Sequence, residues 1–203
     1  MRQSLPLRIG RLTLSAAAMA CLALPAGADP IQLKLDPDHS TVSFRVRHLF
    51  TQVPGQFRDF EGTIELDESD LARSKVSATI QVASIDTNQE NRDQDLRSKR
   101  FFNVEKYPTI QFSSSEITSV AGKKAKIKGT LDMHGVKREV VLDAEFLGKG
   151  TDPWGNQRYG FHASTTINRK DWGMEWNEVL EAGGFLVGDE VEILLDAEAV
   201  TAS

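Results

Sequence analysis

Alternation of apolar and polar residues with a period of two is the feature that most limits how this chain can fold. In residues 41–49, every second position is apolar: Val42, Phe44 and Val46. The same alternation recurs in residues 75–83, 125–133, 140–146, 159–167 and 191–199. Successive side chains of a strand point to opposite faces, so each segment has one buried face and one solvated face. The pattern predicts an antiparallel sheet, because parallel strands are usually covered on both faces.

Weaker strand patterns and turn sequences extend this prediction to an all-β fold. Residues 31–35, 60–66 and 109–115 bring the expected total to eight or nine strands. Turn sequences separate the strands at residues 67–70, 134–135, 152–156 and 183–184. Strands with one apolar face and little helix must bury that face against one another. A closed barrel achieves this and also removes the exposed edges, and a two-sheet sandwich is the alternative.

One segment breaks the alternation and predicts a short helix between strands. Thr87-Asn88-Gln89-Glu90 matches a capping box, in which the Thr and Glu side chains bond the first free amides of a helix. The helix is expected to continue to Arg100, with Asp93–Arg97 and Asp95–Lys99 ion pairs, before Tyr107-Pro108 stops it. Two roles stay open: a lid across one mouth of the barrel, or a surface crossover that plugs that end.

The first 28 residues have the organisation of a secretory signal peptide. Arg2, Arg8 and Arg11 precede an apolar stretch from residue 12 to 24, and Ala26-Gly27-Ala28 offers a cleavage site. A lipidated Cys21 is the alternative. Cleavage after Ala28 leaves residues 29–203 as a single domain, and we expect this domain in the periplasm.

The domain that remains is acidic and lacks cysteine. Loss of the three arginines changes the net charge from −5 to −8, and Cys21 is the only cysteine in the chain. Without disulfides the domain must depend on its apolar core. Its negative charge argues against nucleic acid as a partner, because phosphate backbones are repelled.

The residues expected to face the barrel interior are a mixture of small and large apolar types. The small ones are Ala78, Gly129, Ala144, Ala163, Ala197 and Ala199, beside large ones such as Phe44 and Leu131. A barrel of about eight strands can be just filled by side chains or can hold one ligand. So many small residues favour a long, dry pocket for a hydrocarbon. The alternative is that they fit the taper of a filled barrel.

Motifs for catalysis or for a metal are absent from the sequence. The four histidines, His39, His48, His134 and His162, lack the spacing of metal-binding pairs, and no H-E-x-x-H or G-x-S-x-G motif occurs. We therefore expect no metal, no cofactor and no enzymatic activity. The candidate binding residues are apolar strand positions and one charged, aromatic stretch: Phe44, Val46, Phe60, Ile80, Val82, Phe112, Leu131, Ala144, Phe146, Phe161, Arg169, Trp172 and Trp176.

The stretch from Asn168 to Trp176 joins charges to two indoles. In one hypothesis, Arg169 or Lys170 meets the head of a lipid while Trp172 and Trp176 cover its tail. In the alternative, Arg169 pairs with Asp171 and both indoles pack in the barrel base.

A series of short motifs, in order along nearly the whole exported chain, resembles one known family. The motifs are Asp38-His39-Ser40, residues 42–44, 53–57 and 60–62, residues 83–87 and 92–93, Phe101-Phe102, Tyr107-Pro108, residues 129–131 and 134–136, residues 152–155 and 167–173, residues 180–184 and 187–189. Together they are similar to the YceI-like family of bacterial periplasmic polyisoprenoid-binding proteins. Asp95, Arg100 and Asn103 depart from the family pattern, so contacts of the helix with a head group are in doubt.

The resemblance implies a lipocalin-like, eight-stranded antiparallel barrel that holds a polyisoprenoid lipid or a quinone tail. It implies binding, storage or transport without catalysis, in a setting of stress response. An enzyme acting on an isoprenoid or quinone, and a structural or partner-binding barrel, are the alternatives. Transient contact with the membrane surface and formation of a homodimer are two further partner hypotheses.

Overall fold

The computed structural model describes residues 29–181 and 183–202. The signal peptide predicted at residues 1–28, including Cys21, lies outside these residues. The strands are β1 Ile31–Leu35, β2 Thr41–His48, β3 Thr51–Phe57, β4 Phe60–Leu66, β5 Lys75–Gln81, β6 Ile85–Asp86, β7 Thr109–Ala121, β8 Lys124–Met133, β9 Val136–Thr151, β10 Gln157–Asn168 and β11 Val187–Thr201. One α-helix, α1, spans Glu90–Arg97. In the part of the chain described, no helix is both long enough and apolar enough to cross a membrane.

Eight of the strands form a closed antiparallel barrel. They pair in the order β1–β4–β5–β7–β8–β9–β10–β11, and β11 pairs with β1 to complete the ring. The predicted eight-stranded barrel with a short helix between strands is therefore confirmed, and the two-sheet sandwich is wrong. Because the ring is closed, the inward-facing side chains of all eight strands line one common interior.

The other three strands prolong members of this ring. Both β1 and β2 pair with the same edge of β11, since Leu35 lies opposite Ala199 and Thr41 lies opposite Asp196. In the same way β3 pairs with β2 while β4 pairs with β1. Consecutive segments thus form long strands with a short interruption: β1 continues into β2, β3 continues into β4, and β5 continues into β6.

Side chains stabilise these interruptions. Ser84, in the turn between β5 and β6, accepts hydrogen bonds from the amides of Arg58 and Asp59 (3.2 and 3.0 Å), which separate β3 from β4. The break between β1 and β2 is a 3-10 turn at Pro37–His39, capped by the carboxylate of Asp36. Backbone amides in both breaks are therefore hydrogen-bonded, as buried backbone groups require.

The sequence pattern missed β3 and overextended the helix. Pro54 and Gly55 interrupt the strand pattern, although Pro54 lies opposite Arg45 in a regular ladder. The helix begins at Glu90, and Gln89 caps it by accepting from the Arg92 amide at 2.7 Å. The capping box at Thr87 was wrong. The Thr87 hydroxyl instead donates to the carboxylate of Asp93 at 2.5 Å.

The ion pairs of the helix region also differ from those predicted. Glu90 pairs with Arg97 at 3.7 Å, and Asp95 pairs with Arg100 at 3.2 Å. The guanidinium of Arg97 also donates to the carbonyl oxygens of Ala83 and Ile85 (2.9 and 2.8 Å). These bonds fasten the helix region to the turn between β5 and β6.

The two ends of the barrel are built differently. The helix end carries α1, residues 98–108, and residues 169–181 and 183–186. The hairpin end carries the β4–β5 loop (residues 67–74) and the β7–β8 and β9–β10 turns. A larger apolar cluster, which includes Ile85, Trp172 and Met174, packs at the helix end. A smaller one around Leu33 and Tyr159 packs at the hairpin end.

Candidate ligand-binding cavity

A long cavity of about 660 Å³ occupies the barrel interior. It extends from Arg169 and Met174 at the helix end to Leu71, Lys123 and Lys149 at the hairpin end. Most of its wall is apolar. The volume lies within the range of about 300–1,000 Å³ that is common for small-molecule sites.

The burial pattern shows that the interior is hollow. Phe44, Phe112, Phe146 and Ile193 all line the cavity, yet each is only partly buried. An inward apolar side chain in a filled barrel would be surrounded by neighbours at close-packed density. The alternative in which small residues fit the taper of a filled barrel is therefore wrong.

Three alanines side by side create part of this space. Ala144 on β9 lies opposite Ala125 on β8 and opposite Ala163 on β10. All three line the cavity, as do Ala78 and Ala197. Two other small residues predicted to do so have different surroundings. Ala199 is fully buried in the cluster at the hairpin end, and Gly129 lies under an aromatic ring.

Two glycines hold aromatic rings of the cavity wall close to the sheet. A Cβ atom on Gly129 would lie 2.5 Å from the Phe112 ring and 2.6 Å from the carbonyl oxygen of Ser113. A Cβ atom on Gly55 would lie 2.3 Å from the ring of Phe44. Both distances are far below van der Waals contact. The rings can approach the backbone this closely only because these positions lack a side chain.

Buried Arg169 organises the closure of the helix end. Asn168 caps a 3-10 turn at Arg169–Trp172, and Gly173 ends it in the left-handed conformation (φ 73°). The guanidinium of Arg169 then donates to the carbonyl oxygens of Gly188, Met174 and Trp176. Burial lowers the pKa of Arg169 from its usual value, and Asp189 opposes this shift. The predicted Arg169–Asp171 pair is wrong, because the partner is Asp189 at 3.3 Å.

The structure places ten of the thirteen candidate binding residues in the cavity wall. These are Phe44, Val46, Phe60, Ile80, Phe112, Leu131, Ala144, Phe146, Phe161 and Arg169. Val82, Trp172 and Trp176 are not among the lining residues. Val82 is instead 1% exposed within the core, in the turn between β5 and β6.

The two indoles support the closure of the helix end. Trp172 is 2% exposed, and its Nε1 donates to the carbonyl oxygen of Leu131 at 3.3 Å. Trp176 packs against Phe101, with ring centroids 5.1 Å apart, under the guanidinium of Arg100. Both indoles thus pack at the base of the barrel, as the second hypothesis for this stretch expected.

Lys170, the other cation proposed for a lipid head group, has a protein partner. Its ammonium lies 2.8 Å from the carboxylate of Asp189 and 5.5 Å from the centre of the Phe185 ring. With Arg169 also fully engaged, the hypothesis of a head-group site at this end gains no support from the geometry.

The lining of the hairpin end was missed by sequence reasoning. Glu68 and Leu71 come from the β4–β5 loop, Lys123 from the β7–β8 turn and Lys149 from β9. Loop residues lack the strand periodicity on which the interior was predicted. The one available signal was the turn sequence at residues 67–70, which marks a loop at this end.

A network around one carboxylate organises the β4–β5 loop. Asp67 is 3% exposed and accepts hydrogen bonds from the Ser69 hydroxyl, from the amides of Ser69 and Asp70, and from Arg73. These bonds lower the pKa of Asp67 to about 2. The loop is tied to β9 by Glu68, whose carboxylate lies 2.6 Å from the ammonium of Lys149.

One group outside the cavity has the composition of a metal site. Ligand atoms of Asp36, His39 and Glu198 lie within 4.8 Å of one another. Arg158 already donates to both carboxylates, at 2.6 and 2.9 Å, and to Asp152 at 2.9 Å. These contacts hold the pKa of Arg158 above and that of Asp36 below the usual values. A guanidinium occupies the place of a cation, so the group is an ion-pair network.

Known proteins resemble this chain in sequence or in fold. A UPF0312 protein of Photorhabdus laumondii is 42% identical over 162 residues, which cover 79% of this chain and 84% of the relative. The crystal structure of Burkholderia cenocepacia BcnA superimposes with a TM-score of 0.72 at 24% identity, over 81% of this chain and 98% of BcnA. A polyisoprenoid binding domain from Saccharophagus degradans gives a TM-score of 0.63 at 15% identity, over 85% and 99% of the two chains.

The family model itself matches almost all of the barrel. The model that describes the YceI-like domain covers residues 33–199, from β1 to β11. This match confirms the resemblance carried by the short motifs. The chain belongs to the family of YceI-like domain proteins.

Proposed function

We propose that this barrel binds a long-chain polyisoprenoid, either a prenyl lipid or a quinone, and stores or carries it in the periplasm without chemical change. The observation that carries the proposal is the long apolar cavity of about 660 Å³. The Saccharophagus degradans domain with the same fold, named as polyisoprenoid binding, supports the choice of ligand class.

Burial of apolar surface is sufficient to bind such a ligand. Each buried methylene contributes about 0.8 kcal/mol, so a chain of several isoprene units needs few polar contacts. The walls match this need, because aromatic and aliphatic side chains such as Phe44, Phe112 and Ile193 face the hollow with apolar surface exposed. A long hydrocarbon chain is the class of ligand that fits a long, apolar space.

The arrangement of polar groups supports a role without catalysis. Arg169, the charged residue of the lining at the helix end, is engaged by three carbonyl oxygens and by Asp189. At the opposite end, Glu68 and Lys149 are bound to each other. The proposal also includes three predictions from the sequence: export to the periplasm, a role in stress response and formation of a homodimer.

The direct test is mass spectrometry of organic extracts of the purified native protein. We expect an isoprenoid in stoichiometric amount, and exchange with an added isoprenoid of another length. The control is an Ala144→Phe, Ala163→Phe double variant, in which two phenyl rings occupy the middle of the cavity. Equal recovery of isoprenoid from both proteins, or none from the native protein with no exchange, would refute the proposal.

A further inference from the structure

The cavity is closed at one end and bordered by exposed residues at the other. At the helix end its lining includes Arg169, Met174 and Phe101, which are 4%, 5% and 9% exposed. At the hairpin end the lining includes Glu68, Gly122 and Lys123, all of them exposed. The hairpin end, between the β4–β5 loop and the two hairpins, is therefore the expected passage for a lipid into the barrel.

Next to this passage, a tryptophan projects from a well-ordered turn. Trp154, at the tip of the β9–β10 hairpin, is 81% exposed. The carboxylate of Asp152 accepts hydrogen bonds from the amides of Trp154 and Asn156 and from the Asn156 side chain, each at 2.9 Å. Arg158 holds the same carboxylate at 2.9 Å. The turn thus presents a large apolar side chain to solvent at a fixed position.

Basic and apolar residues flank the same edge of the barrel. Exposed Lys123 and Lys124 lie on the β7–β8 hairpin, and the ammonium of Lys123 reaches the carbonyl oxygen of Leu147 at 3.0 Å. Leu147, on the same hairpin as Trp154, is 53% exposed. Although the whole chain is acidic, Glu68 on the facing loop is neutralised by Lys149. The β7–β8 hairpin therefore presents two lysines beside exposed Leu147. Acidic residues share this end of the barrel, because Glu145 lies opposite Lys124 in the β8–β9 ladder and Asp70 and Glu116 are exposed.

We propose that Trp154, Leu147, Lys123 and Lys124 form a docking surface for an anionic lipid bilayer. Tryptophan is enriched at membrane interfaces because its ring is apolar and its N–H is polar. Lysines near the surface of an anionic bilayer add a favourable electrostatic contribution. The docking surface adjoins the passage into the cavity, so a docked barrel receives a lipid without its crossing water. This inference rests on the proposed function, since docking serves the transfer of a lipid.

The test compares two exposed aromatic residues at opposite ends of the barrel. Trp154→Ala removes the proposed anchor, and Phe50→Ala removes a side chain that is 95% exposed at the β2–β3 turn on the helix end. The purified variants are sedimented with vesicles of phosphatidylcholine containing phosphatidylglycerol. Loss of an aromatic contact of this size lowers the partition of the protein onto vesicles about tenfold. We expect this decrease for Trp154→Ala and not for Phe50→Ala. A Lys123→Glu, Lys124→Glu variant should lose binding to these vesicles more than to vesicles of phosphatidylcholine alone.

Uptake of a prenyl alcohol from detergent separates docking from lipid binding. We expect Trp154→Ala to take up this lipid as the native protein does, but to acquire it more slowly from vesicles. Absence of vesicle binding by the native protein, or an equal or larger loss in Phe50→Ala, would overturn the docking surface. So would a native dimer that Trp154→Ala dissociates while vesicle binding is unchanged, because the occupant would then be a second copy. Absence of uptake from detergent by every variant would overturn the proposed function itself.

Discussion

Substitution of Ala144 by phenylalanine tests whether the hollow interior holds the ligand. A cavity of about 150 Å³ accommodates a benzene ring, so one phenyl side chain takes up roughly a quarter of the 660 Å³ available. Ala144 lies between Ala125 and Ala163, and the new ring would extend over these small neighbours into the hollow. Because the ring enters free space, we expect stability to be unchanged or increased.

The effect on binding follows from the part of the ligand that is displaced. A phenyl ring excludes about one isoprene unit, and five carbons at about 0.8 kcal/mol each correspond to about 4 kcal/mol. This loss is about a thousandfold in Kd, with a smaller effect where the chain bends into the remaining space. Titration with a fluorescent prenyl probe measures the Kd, and urea denaturation measures the free energy of unfolding.

A matched control lies on the outer face of the same strand. Val141 is 41% exposed, so Val141→Phe adds a ring that touches solvent and leaves the cavity unchanged. We expect the control to bind the probe as the native protein does. If Ala144→Phe instead lowered the free energy of unfolding by about 1–3 kcal/mol, as overpacking does, and left the Kd unchanged, the reasoning from an empty interior would be wrong.

Three further predictions concern stability. Gly129→Ala should cost about 1–3 kcal/mol in urea denaturation, because its Cβ would overlap the Phe112 ring and a backbone oxygen; Gly150→Ala, where space is open, is the control and should cost nothing. Arg169→Lys should cost about 1.5–3 kcal/mol, since hydrogen bonds to a charged donor are lost, and unchanged stability would contradict the proposed closure. The pKa of Asp67 is about 2 when folded and about 3.9 when unfolded, so its stabilising contribution is complete above about pH 5 and disappears as pH falls to about 2. The stability difference between native protein and Asp67→Asn should therefore shrink over that range, and a constant difference would refute this origin.

The strands were predictable where one face of the sheet is buried and the other is solvated. Alternation identifies β2, β8, β10 and β11 because each has an apolar row toward the cavity and a polar row toward solvent. It fails for β3, where Pro54 and Gly55 replace the expected side chains while the ladder continues through them. Tertiary pairing overrides local preference there.

The candidate site was predictable along its walls and not at its two ends. The wall follows from strand direction, and nine apolar strand positions among the thirteen candidates line the cavity. Arg169, which also lines it, was chosen from the charged stretch and not from periodicity. Trp172 and Trp176 follow β10, but the chain changes direction at Gly173 between them. Sequence spacing does not give the direction that the chain takes after such a turn. Glu68 and Lys149 meet across 81 positions of the chain, a contact for which local sequence carries no signal.

The pairing of β1 with β11 has a consequence for the order of folding and ligand binding. The enclosed interior is complete only when a segment near residue 35 meets one near residue 199. Ring closure is thus a contact of long sequence separation, the kind of contact that slows folding. Until then the apolar rows of the other strands face water, and they offer a surface but no enclosed volume. We therefore expect the proposed lipid to bind only after the ring has closed, and a truncated chain without β11 to bind none.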